Sequence, residues 1–405
     1  MNLTIPYQKP LIIGTGGGND IVSATLVVAH LREQSIPADL AGVCSPGAWH
    51  RYAGKEEQPI NRVTKDTNRY RPSLNPVPFS SLDAFIDAHL PEALQQEHLP
   101  TSVYNLSFRC GTEPLVESLS ELCKNEGYDG LVLVDVGGDI LARGKKDPTI
   151  LSPLMDFSTL YVASQADVPS VLFEFGLQTD GELRPAGCRE ILQELSEQHV
   201  LLSTTELSLE DAAVQQFLRV YDTIKHLRHG HTAEMTLQTL LAKEDIHTTY
   251  RARVQVLDRK WFFSYEVTLE APYFGKGFLF DVPALAARRE LAFSYRTPLE
   301  LYLRTKKTVD TKSEMDGLYA RVDDVCVWLG LLCPQLPDAE RKEAIAYGLE
   351  NLPEHAHVAL VWKKDAPKNI SGFAVDDFVV LGEKEKARRV AREVEIILDG
   401  ERGEP

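Results

Sequence analysis

Four of the five residues from Gly14 to Gly18 are glycine, and the run lies between a short apolar stretch, Leu11 to Ile13, and an apolar segment, Ile21 to Leu31. No other stretch limits the fold as much. Glycine tolerates positive φ and lets a ligand approach backbone N–H groups, so the loop reads as a tight strand-to-helix turn with room for an anion. Asn19 or Asp20 can cap the helix that follows, and Ile21, Ala24, Leu26, Val27, Val28 and Leu31 supply its apolar residues. Strand, glycine loop and helix form the unit with which parallel α/β proteins hold a phosphate or a carboxylate. Gly14, Thr15, Gly16, Gly17, Gly18 and Asn19 are therefore expected ligand contacts. The alternative is a ligand-free turn, which seldom needs three consecutive glycines.

The loop completes neither common nucleotide fingerprint. A dinucleotide motif wants glycine at its first, third and sixth positions; Gly14 and Gly16 fit, but the sixth is Asn19. The second strand, about Asp39 to Cys44, runs into Ser45 rather than ending in an acid for a ribose hydroxyl. A P-loop closes on Gly-Lys-Ser or Gly-Lys-Thr, and that lysine is missing. NAD is not an expected cofactor, and P-loop ATP hydrolysis is disfavoured.

Downstream, strands and helices alternate. Val103 to Phe108, an apolar run from Gly130 that passes into Asp135, Ser170 to Phe175 and Val200 to Ser203 read as strands. Leu82 to Leu90, Thr112 to Asn125 with Gly127 as its stop, Ser158 to Ala166, Pro185 to Glu197 and Ser208 to Arg228 read as helices. After Gly230 the pattern changes. A hairpin is expected from Tyr250 to Leu257 and Trp261 to Leu269, then helices near Val282 to Ala292, Pro298 to Arg304 and Glu340 to Leu352, a strand at His357 to Trp362, and a charged helix at Glu383 to Leu398. The expected fold is α/β: a Rossmann-like, doubly wound, mainly parallel sheet with helices on both faces over residues 1–230. A mixed α+β extension over 231–335 packs on it, and residues 336–405 form a C-terminal helical appendage.

Three strand ends carry glycine and acid together. After the first comes Asp20, the run from Gly130 passes into Asp135, Gly137, Gly138 and Asp139, and after the strand at 170–175 come Gly176, Asp180 and Glu182. In a parallel sheet the carboxyl ends of the strands line one crevice. Asp135, Asp139 and Asp20 are the expected catalytic residues, and Gly137, Gly138, Gly176 and Asp180 join the glycine loop as ligand contacts. Asp135, Asp139 and Asp156 offer hard oxygen ligands for Mg²⁺. One carboxylate raised in pKa by a close neighbour could instead serve as general acid or base. Simpler roles compete: Asp135 capping its turn, and Asp20 complementing the first helix dipole. Glu174, inside a strand, is either a buried charge needing a partner or an edge residue. His226, His229 and His231 fit helix-end capping better than a metal site.

Ser45 to Ser81 is rich in proline and holds Trp49, His50, Arg51, Tyr52, Arg62, Lys65, Arg69, Tyr70 and Arg71. It reads as a flap over an anionic ligand or as a solvated surface loop. The formal charge of −16 over 405 residues argues against a general nucleic-acid or membrane-surface binder, leaving an anionic small molecule as the expected partner, with a homo-oligomer also compatible. No apolar run spans a bilayer, and the first strand begins too early for a signal peptide. Six scattered cysteines without a Cys-x-x-Cys pair fit buried thiols in a reducing cytoplasm.

Gly-Thr-Gly-Gly-Gly-Asn-Asp at 14–20, Asp-Val-Gly-Gly-Asp at 135–139 and Ser-Pro-Leu-Met-Asp at 152–156, in that order, resemble domain of unknown function 1152. The resemblance covers roughly residues 8 to 300 and implies a shared fold and a shared pocket, without an established reaction. The expected function is an enzyme acting on a nucleotide-like or phosphorylated small molecule by hydrolysis or group transfer; the alternative is a non-catalytic nucleotide or metabolite sensor.

Overall fold

The computed structural model describes residues 1–16, 20–44, 58–63, 90–99, 101–225, 231–256, 259–306, 319–332, 336–352 and 356–402. Gly17, Gly18, Asn19, most of the loop at 45–81, and His226 and His229 lie outside them.

A large, mostly parallel sheet flanked by helices organises the first half of the chain. Its strands are β1 (Pro10–Gly14), β2 (Asp39–Cys44), β3 (Ile60–Arg62), β4 (Val103–Ser107), β5 (Gly130–Val136), β6 (Ser170–Phe175), β7 (Leu201–Glu206) and, from far downstream, a strand at Lys276–Asp281. β4, β2, β1, β5 and β6 lie side by side in that order, each parallel to its neighbour. Every residue of β1, β5 and β6 is buried, which is why these strands appear in the sequence as mainly apolar runs, broken only near their carboxyl ends by Asp135 and Glu174. Successive side chains still go to opposite faces. Leu11, Ile13, Leu131 and Leu133 pack with the helices Thr112–Glu126, Leu154–Gln165 and Pro185–Glu197. Ile12, Val132 and Val134 pack with Thr25–Glu33 and Ala212–Ile224.

Two elements depart from expectation. The helix expected from Ser158 begins at Leu154, next to Pro153, whose restricted φ suits a helix start; Asp156 therefore lies in its first turn. The helix expected from Ser208 starts at Ala212, because the Ser208 N–H donates to Asp211 Oδ2 at 2.8 Å and holds a turn there.

The remaining strands are β8 (Ile246–Val256) and β9 (Arg259–Leu269), a two-stranded hairpin, then β10 (Lys276–Asp281), β11 (Tyr319–Val322), β12 (Val325–Gly330), β13 (Val358–Trp362), β14 (Gly372–Val375) and β15 (Phe378–Gly382). β10 inserts antiparallel between β6 and β7, so the large sheet extends past residue 230. β11 to β15 form a second sheet, ordered β11-β12-β13-β15-β14. Residues 336–405 are thus not a helical appendage: they supply three strands of a sheet whose other two precede residue 335. The helix Lys384–Arg402 covers one face through Val390, Val394 and Leu398. On the other face Trp328, Ala344 and Ile345 pack with Trp261 of the hairpin and with Leu151 of the first half.

Among the described residues no helix is long and apolar enough to cross a membrane. Cys123 and Cys188 are buried, and burial pushes the Cys123 thiol up to about 11, as expected of structural rather than reactive thiols.

Candidate functional site

The carboxyl ends of β1 and β5 meet the first turn of the helix Leu154–Gln165, and three aspartates converge there. Asp20 opens the short helix Asp20–Ser23, Asp135 is the last but one residue of β5, and Asp156 is the third residue of its helix. One oxygen from each lies within 4.8 Å of the other two. The residues are only 7%, 1% and 2% exposed.

Backbone and hydroxyl groups fix this arrangement. The Thr15 N–H donates to Val134 O at 3.0 Å, which ties the loop to β5. The buried Thr15 hydroxyl lies 3.0 Å from Asp156 Oδ1 and 3.3 Å from Asp135 Oδ1, so it links two of the three acids. The Gly16 N–H donates to Asp20 Oδ2 at 2.8 Å, and the Gly138 N–H to Asp135 Oδ2 at 3.2 Å. Thr159 Oγ1, one turn along from Asp156, lies 3.0 Å from Thr15 O.

The glycines are required by close approach. A side chain at Gly14 would strike the backbone of Asp20 and Ile21, so only glycine lets the helix start against the end of β1. A Cβ at Gly16 would stand 2.6 Å from Asp20 Oδ2 and 2.7 Å from Asp156 Oδ1. Gly137 and Gly138 have φ of +125° and +99°, values that favour glycine, and a Cβ on Gly137 would press on Asp180 at 2.7 Å. Gly176 faces elsewhere: its Cβ would meet the Thr236 side chain, on the helix His231–Leu241.

A second set of acids surrounds the three. Asp139 is raised above its usual 3.8 by burial, then by the charges of Asp156, Asp135, Asp180 and Glu182. Glu174 is completely buried and shares register with Asp135 across β5 and β6. Burial, then the Asp135 charge and a hydrogen bond with Asp135, raise its pKa well above the usual glutamate value. Two carboxyls can bond in this way only when one carries the proton. Glu182 has a structural task. It accepts hydrogen bonds from the N–H groups of Leu151 and Ser152 and, at 2.7 Å, from the Ser152 hydroxyl. It thereby clamps the segment leading to Asp156.

The raised value at Asp139 means that the folded chain keeps a proton which the unfolded chain releases near pH 4. This contribution to stability is complete below the ordinary carboxylate range and is lost as pH rises through the folded-state value. Asp139→Asn is therefore expected to stabilise the metal-free protein at pH 8 by on the order of 1 kcal/mol, with little change at pH 4. Urea midpoints at the two pH values measure this; an equal shift at both would disprove the charge argument.

Of the residues singled out in the sequence, Asp20, Asp135 and Asp156 thus form one group, with Thr15 and Gly16 against it. Asp139 and Asp180 adjoin it without joining the three. The roles of Thr15 as a link between acids and of Glu182 as a clamp were not anticipated. The order Glu182 after Ser152 carries no local signal, because their contact is set by the tertiary fold.

Sheet and site together define an α/β protein with a buried carboxylate centre at the carboxyl edge of its parallel strands. The chain belongs to the family described as Protein of unknown function (DUF1152), whose family model matches residues 11–224. The three motifs all fall inside that match, which stops short of the extent to residue 300 expected from them. No curated protein matches the chain, and no solved structure does.

Proposed function

We propose that this protein is an enzyme acting on a nucleotide-like or otherwise phosphorylated small molecule by hydrolysis or group transfer, with Mg²⁺ held by Asp20, Asp135 and Asp156. The convergence of these three carboxylates within 4.8 Å is the observation that carries the reading. Magnesium takes hard oxygen ligands, and the three carboxylates would supply them from one side, leaving further positions for substrate oxygens or water.

The location supports the same reading. We take the sheet to be Rossmann-like: the chain runs from β1 outward through β2 to β4, then returns to the other side of β1 as β5. In such sheets the ligand crevice lies where this reversal occurs, outside the carboxyl ends of the two strands. Asp20 follows one of those strands and Asp135 ends the other. β2 ends without an acid for a ribose hydroxyl, which favours group transfer or hydrolysis over NAD-dependent redox chemistry.

When bound, the ion would neutralise charge on the substrate's phosphoryl oxygens. Asp135 and Asp156 would orient it, with the Thr15 hydroxyl keeping them in register. Asp139 is assigned to proton transfer beside the reacting group. Incubation of the full chain with nucleoside di- and triphosphates and Mg²⁺ tests the proposal: a nucleotide should be consumed, and Asp135→Asn should abolish its consumption. The near-complete burial of Asp135 and Asp156 favours a second reading, a non-catalytic nucleotide or metabolite sensor. A ligand that raises the melting midpoint yet is recovered unchanged would select it. No midpoint shift with Mg²⁺ or with any anionic metabolite would eliminate both.

A further inference from the structure

At Gly16 the anion-binding and cation-binding features of the site overlap. The Gly16 N–H, a donor of the glycine loop, points at Asp20 Oδ2 at 2.8 Å. The position of a Cβ on Gly16 is 2.6 Å from Asp20 Oδ2 and 2.7 and 3.0 Å from the two Asp156 oxygens. The space in front of this glycine is therefore walled by carboxylate. An oxyanion reaching for the amide would meet like charges at contact distance, where burial leaves little solvent to screen them. Behind the wall, Glu174 is 0% exposed and is joined to Asp135 by a hydrogen bond in which one of the two carries a proton, so it brings no counter-charge to the group.

Resting on the function proposed above, we propose that the oxyanion partner of this site enters only as a chelate of a divalent cation. The cation bridges Asp20, Asp135 and Asp156 to oxygens of a di- or triphosphate group. The bare anion is excluded by Asp20 and Asp156; with the cation between them, the same two carboxylates become part of the anion's binding site. Cation and anion then bind with positive coupling, and linkage requires each to strengthen the other by the same factor.

Calorimetry on the full chain, with pyrophosphate as the probe, tests this. Pyrophosphate should bind at least 100-fold more tightly in Mg²⁺ than in EDTA, and Mg²⁺ affinity should rise by the same factor in pyrophosphate. Asp156→Asn removes one charge from the wall. It should weaken Mg²⁺ binding while strengthening the binding of bare pyrophosphate, and Asp20→Asn should do the same if the first variant fails to fold. Equal pyrophosphate affinity with and without Mg²⁺ overturns the inference. If Mg²⁺ binds but pyrophosphate never does, this inference alone falls. If neither Mg²⁺ nor its mixture with pyrophosphate binds, the cation centre and the proposed function fall together.

Discussion

Asp135→Asn is expected to weaken Mg²⁺ or Mn²⁺ binding at least a hundredfold, about 3 kcal/mol, while leaving the protein folded. Asn has nearly the shape of Asp, and the side chain is 1% exposed in a packed surround. What changes is charge and donor pattern. The Asp135 oxygens meet the Gly138 N–H and the Thr15 hydroxyl; Asn can keep its oxygen on the N–H and turn its NH2 toward the hydroxyl oxygen, which accepts as well as donates. Stability should change little; the loss that matters is that of one anionic ligand out of three. Calorimetric titration of wild type and variant at equal ionic strength measures the difference. Affinities within threefold of each other would remove Asp135 from the cation site.

Gly14→Ala should be the most damaging single methyl added to the site, at about 3 kcal/mol. The atoms it would strike belong to the backbone of Asp20 and Ile21 rather than to a flexible side chain. Relief therefore requires the start of the helix to move away from β1, taking Asp20 with it, so cation affinity should fall as well. Gly127→Ala is the informative contrast. That glycine has φ of +73° but nothing within 4 Å of the new Cβ, and the left-handed backbone alone costs about 1 kcal/mol. Urea unfolding should give unchanged slopes and a midpoint loss several times larger at Gly14 than at Gly127. Equal losses would mean that conformational freedom, rather than close approach, is what Gly14 supplies.

The parts of this fold visible in the sequence are those set by local chemistry. β1, β5 and β6 are buried on both faces and so appear as apolar runs, and the hairpin is visible through its alternation. The glycine loop and the Asp135 corner announced themselves because backbone geometry and residue type coincide there. β10 did not: Lys276–Asp281 is a short segment whose strand character depends on partners 70 to 110 residues earlier. The five-stranded sheet was missed for a similar reason, since β12 finds its parallel partner β13 only after an intervening helix. Within the site, sequence spacing identifies which acids end strands but not which side chains meet. Asp156 belongs to the group of three because its helix begins at Leu154, and Glu182 is occupied with Leu151 and Ser152 because the turn after β6 folds back onto that segment.

The late arrival of β10 has a consequence for how the protein is made. The region matched by the family model ends at residue 224, some fifty residues before the strand that joins β6 to β7. A chain emerging from the ribosome thus reaches the end of that region with two open strand edges and without the side chains of Phe278, Leu279 and Phe280, all buried in the finished molecule. Open edges are templates for pairing with other chains, so a fragment cut at residue 224 should aggregate where one extended through Asp281 stays dispersed. The smallest independently folding unit is accordingly longer than the matched region.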